Sequence, residues 1–252
     1  LKVKISIKTD AQIEIMRKAG KIVADTLSLV EQNIRPGVTT GEIDRLAEEY
    51  ILSCGARPAF KGYRGYPATI CASIDDEVVH GIPGNRLLVD GQIVSIDLGA
   101  IVDGFYGDSA ATFPIGQISE EKRKLLEMTR RSLEAGIAQA RAGNNLGCVS
   151  SAVQRVAESA GYSVVRDLVG HGIGKAMHED PQIPNFGSVS EGPILMKGMV
   201  LAIEPMVNMG DYKVKTKVDG WTVVTADGSP SAHFEHTIAI TDDQPDILTI
   251  RN

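Results

Sequence analysis

The chain matches itself. Laid over itself at an offset of about 106 residues, Arg35, Gly37, Gly41 and Gly55 fall on Arg141, Gly143, Gly147 and Gly161. After one residue of slippage, Leu88-x-x-Gly91-x-Ile-Val-Ser-Ile-Asp97 falls on Leu195-x-x-Gly198-x-Val-Leu-Ala-Ile-Glu204. Glycine fills 26 of 252 positions, so a few coincident glycines carry little weight. The second block carries more, because spacing, apolar pattern and terminal acid all agree. A duplicated ααβ unit folded about a pseudo-two-fold axis is expected. It forms one α/β (α+β) domain over residues 1–252, with halves of about 1–115 and 116–252 around a central antiparallel sheet. In both halves a strand-like apolar run ends on a carboxylate, and two symmetry-related acids at the centre of a sheet need a cationic partner.

Local signals fit this order. Thr9-x-x-Gln12 and Thr39-x-x-Glu42 are capping boxes, each opening a run with helical apolar spacing, the first to about Gln32 and the second to Gly55. From Ala68 to Phe113 the pattern changes to short apolar runs broken by Pro, Gly and Asp, which predicts strands and hairpins. Ser119 opens a third helix, and a fourth spans about Leu146 to Ala160 before strand-like stretches return.

Composition excludes some functions. With 26 Lys and Arg against 32 Asp and Glu, the net charge of -6 argues against a bulk electrostatic grip on nucleic acid or an acidic membrane surface. Cys54, Cys71 and Cys148 leave one thiol over from any pairing and form no C-x-x-C unit, which predicts a reducing compartment, the cytoplasm. No apolar run reaches the ~18 residues of a membrane helix, and the start LKVKISIKTD has no signal-peptide core. Without heptads or a long exposed apolar strip, a monomer is expected.

The hairpin DLGAIVDGFYGD can be worked out geometrically. If Asp103-Gly104 is a two-residue turn, Val102 pairs with Phe105 and Asp97 lies opposite Ala110. Asp108 then becomes the diagonal neighbour of Asp97 on the same face, roughly 7–8 Å away between Cα atoms, a gap two carboxylates can close around a cation. Three further segments supply ligands of matching type: His171 among glycines, Glu204 at the end of VLAIEP, and Glu235 at the head of a final apolar strand. Four carboxylates and an imidazole form a hard, oxygen-rich set suited to Mn, Fe, Co or Zn, able to hold two ions with bridging carboxylates. His233 and His236, flanking Glu235 on an extended strand, are expected to point away from it into structural or rim positions.

These five residues, in the contexts SIDLG, GDSAATF, GHGIG, IEPM and FEHT, resemble the metal ligands of type I methionine aminopeptidases of the bacterial kind. EVVHGIP with His80, PAFKGYRGYPATICAS and the lone Trp221 add to the resemblance, which covers essentially the whole chain. It implies the pita-bread fold of metallopeptidase family M24 and removal of N-terminal methionine before a small second residue.

Carried over residue by residue, the resemblance implies that Asp97, Asp108 and Glu235 serve one divalent ion and that Asp108, His171, Glu204 and Glu235 hold the other. A bridging hydroxide would be the nucleophile, with Glu204 as proton shuttle, His178 steadying the carbonyl oxygen and His80 bonding the scissile amide nitrogen or the next residue's backbone. The free amine would bind at the second metal. Phe60, Tyr63, Tyr66, Cys71 and Trp221 would line the methionine pocket, an apolar wall with a polarizable thiol. The implied partners are N-terminal Met peptides and nascent chains, the latter at the ribosome surface.

One stretch departs from the family pattern: Ser73-Ile74-Asp75-Asp76-Glu77-Val78-Val79 precedes His80 where relatives usually carry Asn and Val. The resemblance implies a monovalent cation, Na or K, on the backbone of that loop. No N-terminal zinc-binding extension or long insertion of the type II kind is present, so a minimal catalytic domain is expected. X-Pro peptidases of the same fold would keep the five ligands and differ in the pocket, whereas a catalytically dead binding module would have lost ligands.

Overall fold

A computed structural model describes residues 5–251. The ends of the expected domain, residues 1–4 and 252, lie outside the described residues, as does part of the stretch read for a signal-peptide core.

Four long helices form where the sequence predicts them, three of them opening on side-chain caps. Helix α1 spans Asp10–Asn33, with the Thr9 hydroxyl accepting from the Gln12 amide and the Gln12 side chain accepting from the Thr9 amide. Helix α2, Thr40–Ser53, opens with the same reciprocal pair between Thr39 and Glu42. Each box satisfies amides that a helix start leaves without a partner. Helix α3 (Glu120–Gln139) is capped by Ser119, and α4 (Leu146–Ser159) starts at Asn145 without a side-chain cap bond. The amphipathic faces of these helices bury such residues as Val23, Leu27, Ile43, Leu133 and Val153 in one core with the strands.

The first-half hairpin has the expected register. Asp103 and Gly104 both take positive φ, 47° and 79°, a two-residue turn whose twist matches its strands. Strands Ile93–Val102 and Phe105–Pro114 pair with Val102 opposite Phe105, Asp97 opposite Ala110 and Asp108 opposite Gly99. Helix α1 lies directly against this hairpin because Gly107 carries no side chain. A Cβ there would fall 2.8 Å from the Gly20 amide nitrogen, closer than real contacts allow.

The second half is built differently around the matching acid. Strand Val200–Ile203 stops before Glu204-Pro205, and the chain passes into Met206–Asn208 of another sheet. Pro205 has no amide to extend the ladder. The antiparallel partners of Val200–Ile203 are instead Gly170–Gly172 and His236–Ala239. The helix entrances still correspond: Thr39 bridges to Leu87 in one half and Asn145 to Ile194 in the other.

Main-chain and hydroxyl bonds stitch the two sheets together where their acids meet. The Glu235 amide donates to the Ala110 carbonyl at 2.9 Å. The Ser109 hydroxyl donates to the Glu235 carbonyl at 2.6 Å, and the Thr237 hydroxyl bonds both polar backbone groups of Asp108. Among the described residues, no helix is long and apolar enough to cross a membrane.

Candidate metal centre

The elements bring all five expected ligands to one cavity of about 160 Å³. Asp97 and Asp108 share a face of the hairpin because their register is diagonal. His171 sits in Gly170–Gly172, and its neighbours must be glycine. A Cβ on Gly170 would lie 2.5 Å from the Ala202 carbonyl oxygen, and one on Gly172 would lie 2.2 Å from that of Asp180. Glycine therefore lets the histidine's strand fit closely between its two partners. Glu204 follows the end of its strand, and Glu235 occupies the break between Ser231–His233 and His236–Ala239.

Ligand atoms of Asp108, His171 and Glu235 lie within 4.8 Å of one another. His171 Nε2 is 3.4 Å from Glu204 Oε1. Its Nδ1 is 2.9 Å from the Gly172 carbonyl, a bond that puts the proton on Nδ1 and leaves the Nε2 lone pair facing the acids. Asp97 Oδ1, Asp108 Oδ1 and Glu235 Oε1 are buried with no hydrogen-bond partner. Buried carboxylate oxygens without donors are costly unless a cation satisfies them.

Burial drives the ionisation of these groups. It holds Glu204, Glu235 and Asp97 well above the usual carboxylate range, and their mutual repulsion and that of Asp108 add to the effect. Burial raises Asp108 to about 7, against the pull of bonds from Asp97 and the Ser109 amide. Burial also lowers His171 and His80 to about 4, with His178 adding to both. Carboxyls raised and imidazoles lowered in one buried cluster are what a cation-binding centre looks like without its charge, and divalent ions fit this donor set.

The expected pocket residues line the same cavity. Trp221 stands edge-on to Tyr66, with centroids 5.1 Å apart, and to His80 at 6.4 Å. The Tyr66 hydroxyl lies 3.0 Å from both the Ile70 and the Gly81 carbonyl and shares its one hydrogen between them. Cys71 pairs with Asp97 across the sheet, and burial, with Asp97 next, keeps its thiol protonated. His80 occupies the left-handed region at φ 60°, a strained conformation for a non-glycine residue that aims its ring at Trp221.

Three features were not anticipated from the sequence. The Tyr63 hydroxyl lies 2.8 Å from His178 Nδ1, so Tyr63 is that histidine's partner as well as a wall of the cavity. Met177 and Arg64 also line the cavity. His233 does not sit at the rim. It is 1% exposed, and its Nε2 lies 3.8 Å from Glu204 Oε2. Of the structural and rim placements expected for it, His233 takes the buried structural one, at the end of Ser231–His233 and just before the break that holds Glu235. His236, one residue on, does point away, and its Nδ1 lies 2.9 Å from the Thr249 hydroxyl.

The sequence model of metallopeptidase family M24 matches residues 14–242. The chain belongs to metallopeptidase family M24. Within this family, methionine aminopeptidase of Clostridium perfringens is 55% identical over 246 residues, covering 98% of this chain and 99% of that protein. The crystal structure of methionine aminopeptidase from Thermotoga maritima superposes with a TM-score of 0.97 at 48% identity, covering 99% of this chain and all of the other. The prolidase of Pyrococcus furiosus, 24% identical with a TM-score of 0.79, shares the fold over 98% of this chain and 66% of its own length. The M24 chain described here thus has the pita-bread fold, an α/β arrangement with antiparallel sheets.

Proposed function

We propose that the protein is a methionyl aminopeptidase that removes N-terminal methionine from peptides and nascent chains when the second residue is small. The observation that carries this reading is the junction of two unlike surfaces in one cavity. The five-residue acid and histidine cluster adjoins a wall of Phe60, Tyr66, Cys71, Met177 and Trp221, and that wall suits an unbranched thioether. Near-complete coverage at 55% identity to a methionine aminopeptidase supports it.

In this reading Asp97, Asp108 and Glu235 would hold one divalent ion, and Asp108, His171, Glu204 and Glu235 would hold another, with Co, Mn, Fe and Zn all suited to the donors. Bound there, such ions would acidify a water and offset charge at the scissile carbonyl. The Glu204 carboxylate would take a proton from the water whose oxygen bonds the scissile carbonyl carbon, and pass it to the amine nitrogen as the C–N bond breaks. A Tyr63 hydroxyl that donates to Nδ1 of His178 leaves the proton on Nε2, from which His178 donates to the carbonyl oxygen as it gains charge. His80, neutral at pH 7 because burial holds it to about 4, accepts from the scissile amide or the next residue's backbone. A monovalent cation, Na or K, on the loop before His80 would rest on main-chain carbonyls, since the Asp75 carboxylate already takes Lys122 and the Ile93 amide.

Residues 1–252 act as one catalytic domain of two related halves, a reading supported by ligands drawn from both. The protein works as a monomer in the cytoplasm, meeting its substrates where chains leave the ribosome surface.

The test offers Met-Ala-Ser, Leu-Ala-Ser and Ala-Pro peptides to metal-stripped protein with added Mn, Co, Fe or Zn. Methionine release alone is expected. Proline release without methionine would replace the reading with an X-Pro peptidase, and no hydrolysis with any metal would replace it with a binding module.

A further inference from the structure

The chain entering α1 reaches the back of the turn that carries His178. Lys8 is 5% exposed, its amide donates to the Gly198 carbonyl at 2.7 Å, and its ammonium donates to Glu179 Oε2 at 2.8 Å. The other oxygen of Glu179 accepts from the Ala176 amide at 3.2 Å. One carboxylate therefore clamps both the turn and the entering strap. Gly174 leaves the room: a Cβ there would lie 2.6 Å from both Lys8 Cε and Glu179 Oε1.

Glu179 begins the strand Glu179–Ile183. Side chains of consecutive extended residues point to opposite sides, so Glu179 faces Lys8 while His178 faces the cavity. Burying Lys8 against a half-buried Glu179 is expensive, and an apolar pair of similar volume would often serve stability as well. What the pair adds is one fixed geometry for the turn.

We propose that Lys8 is a positioning residue that acts through Glu179 to fix the turn 174–179 and so to aim His178. This rests on the role of His178 in the peptidase reading. A donor held for a developing charge loses its effect when displaced by about 1 Å, at a cost of roughly 100-fold.

Three variants, Lys8→Met, Lys8→Arg and Glu179→Gln, are compared with wild type for methionine release from Met-Ala-Ser. Lys8→Met is also made in the His178→Ala background, and amide hydrogen exchange is followed in all metal-stripped proteins. Lys8→Met should lower kcat by roughly ten- to 100-fold with little change in KM. Lys8→Arg should recover part of that loss. With His178 already removed, Lys8→Met should cost less than about twofold. Exchange should quicken at 174–179 and stay at the wild-type rate in the central sheet.

A wild-type kcat in Lys8→Met, or an equal loss with and without His178, overturns the proposal. If Lys8→Met does not fold, Glu179→Gln makes the same comparisons. If the wild type itself releases no methionine, the peptidase reading fails instead, and the exchange rates still decide whether Lys8 fixes the turn.

Discussion

The Thr237 hydroxyl bonds Asp108 twice, donating to its carbonyl at 2.7 Å and accepting from its amide at 3.1 Å. Thr237 pairs within the second-half sheet, whereas Asp108 belongs to the first-half hairpin. One buried side chain thus sets the height of a ligand from the opposite half of the molecule.

Replacing Thr237 with valine keeps the shape and strands both backbone groups of Asp108. A loss of about 2 kcal/mol in stability is expected from two buried groups left without partners, together with weaker Mn binding by calorimetry. Thr237→Ser should keep both properties near wild type. Unchanged Mn affinity in the valine variant would separate the stitch from the ligand.

Two sets of buried groups give the metal-free protein opposite responses to pH. His80, His171 and His233 are lowered to about 4, 4 and 3 in the fold, below about 6.5 in the unfolded chain, so their contribution to stability grows as pH rises to 6.5 and is then complete. The four acids run the other way. Their folded values are raised by burial, to about 7 for Asp108 and well above the usual carboxylate range for the rest, so stability present below the unfolded value of about 4 is lost as pH climbs through the folded ones. Thermal midpoints of stripped protein should therefore fall between pH 6.5 and 8, and saturating Mn should abolish the fall. A midpoint rising with pH over that range in stripped protein would contradict this account of the acids.

His178→Ala removes a donor without removing a ligand. Turnover of Met-Ala-Ser should drop roughly 100- to 1,000-fold, the usual cost of one donor to a developing oxyanion. Metal content by elemental analysis should stay at the wild-type value, and loss of the ions would instead make this histidine part of their binding.

Tyr63→Phe keeps the ring stacked near His178, with centroids now 5.4 Å apart, and deletes the hydroxyl. If the hydroxyl sets the imidazole tautomer, kcat should fall while KM changes little. NMR of the metal-stripped protein labelled at histidine nitrogens should show a mixture of tautomers at His178 in place of one. A pure rise in KM would assign Tyr63 to the methionine pocket alone.

Local grammar accounts for what the sequence made readable. The caps at Thr9 and Thr39 and the Asp103-Gly104 turn act over a few residues, and the turn alone put Asp97 and Asp108 on one face. The bonds Tyr63 to His178, Thr237 to Asp108 and Lys8 to Glu179 join residues 115, 129 and 171 positions apart. No periodicity encodes such pairs, because they depend on how the finished halves meet.

The first half supplies Asp97 and Asp108, and the second supplies His171, Glu204 and Glu235. The reaction centre is thus also a clasp across the molecule. Without a cation the clasp closes only on buried carboxyl oxygens that lack hydrogen-bond partners, so each half pays for the other's approach until an ion joins them. Filling the site would therefore hold the two halves together as well as equip them for chemistry.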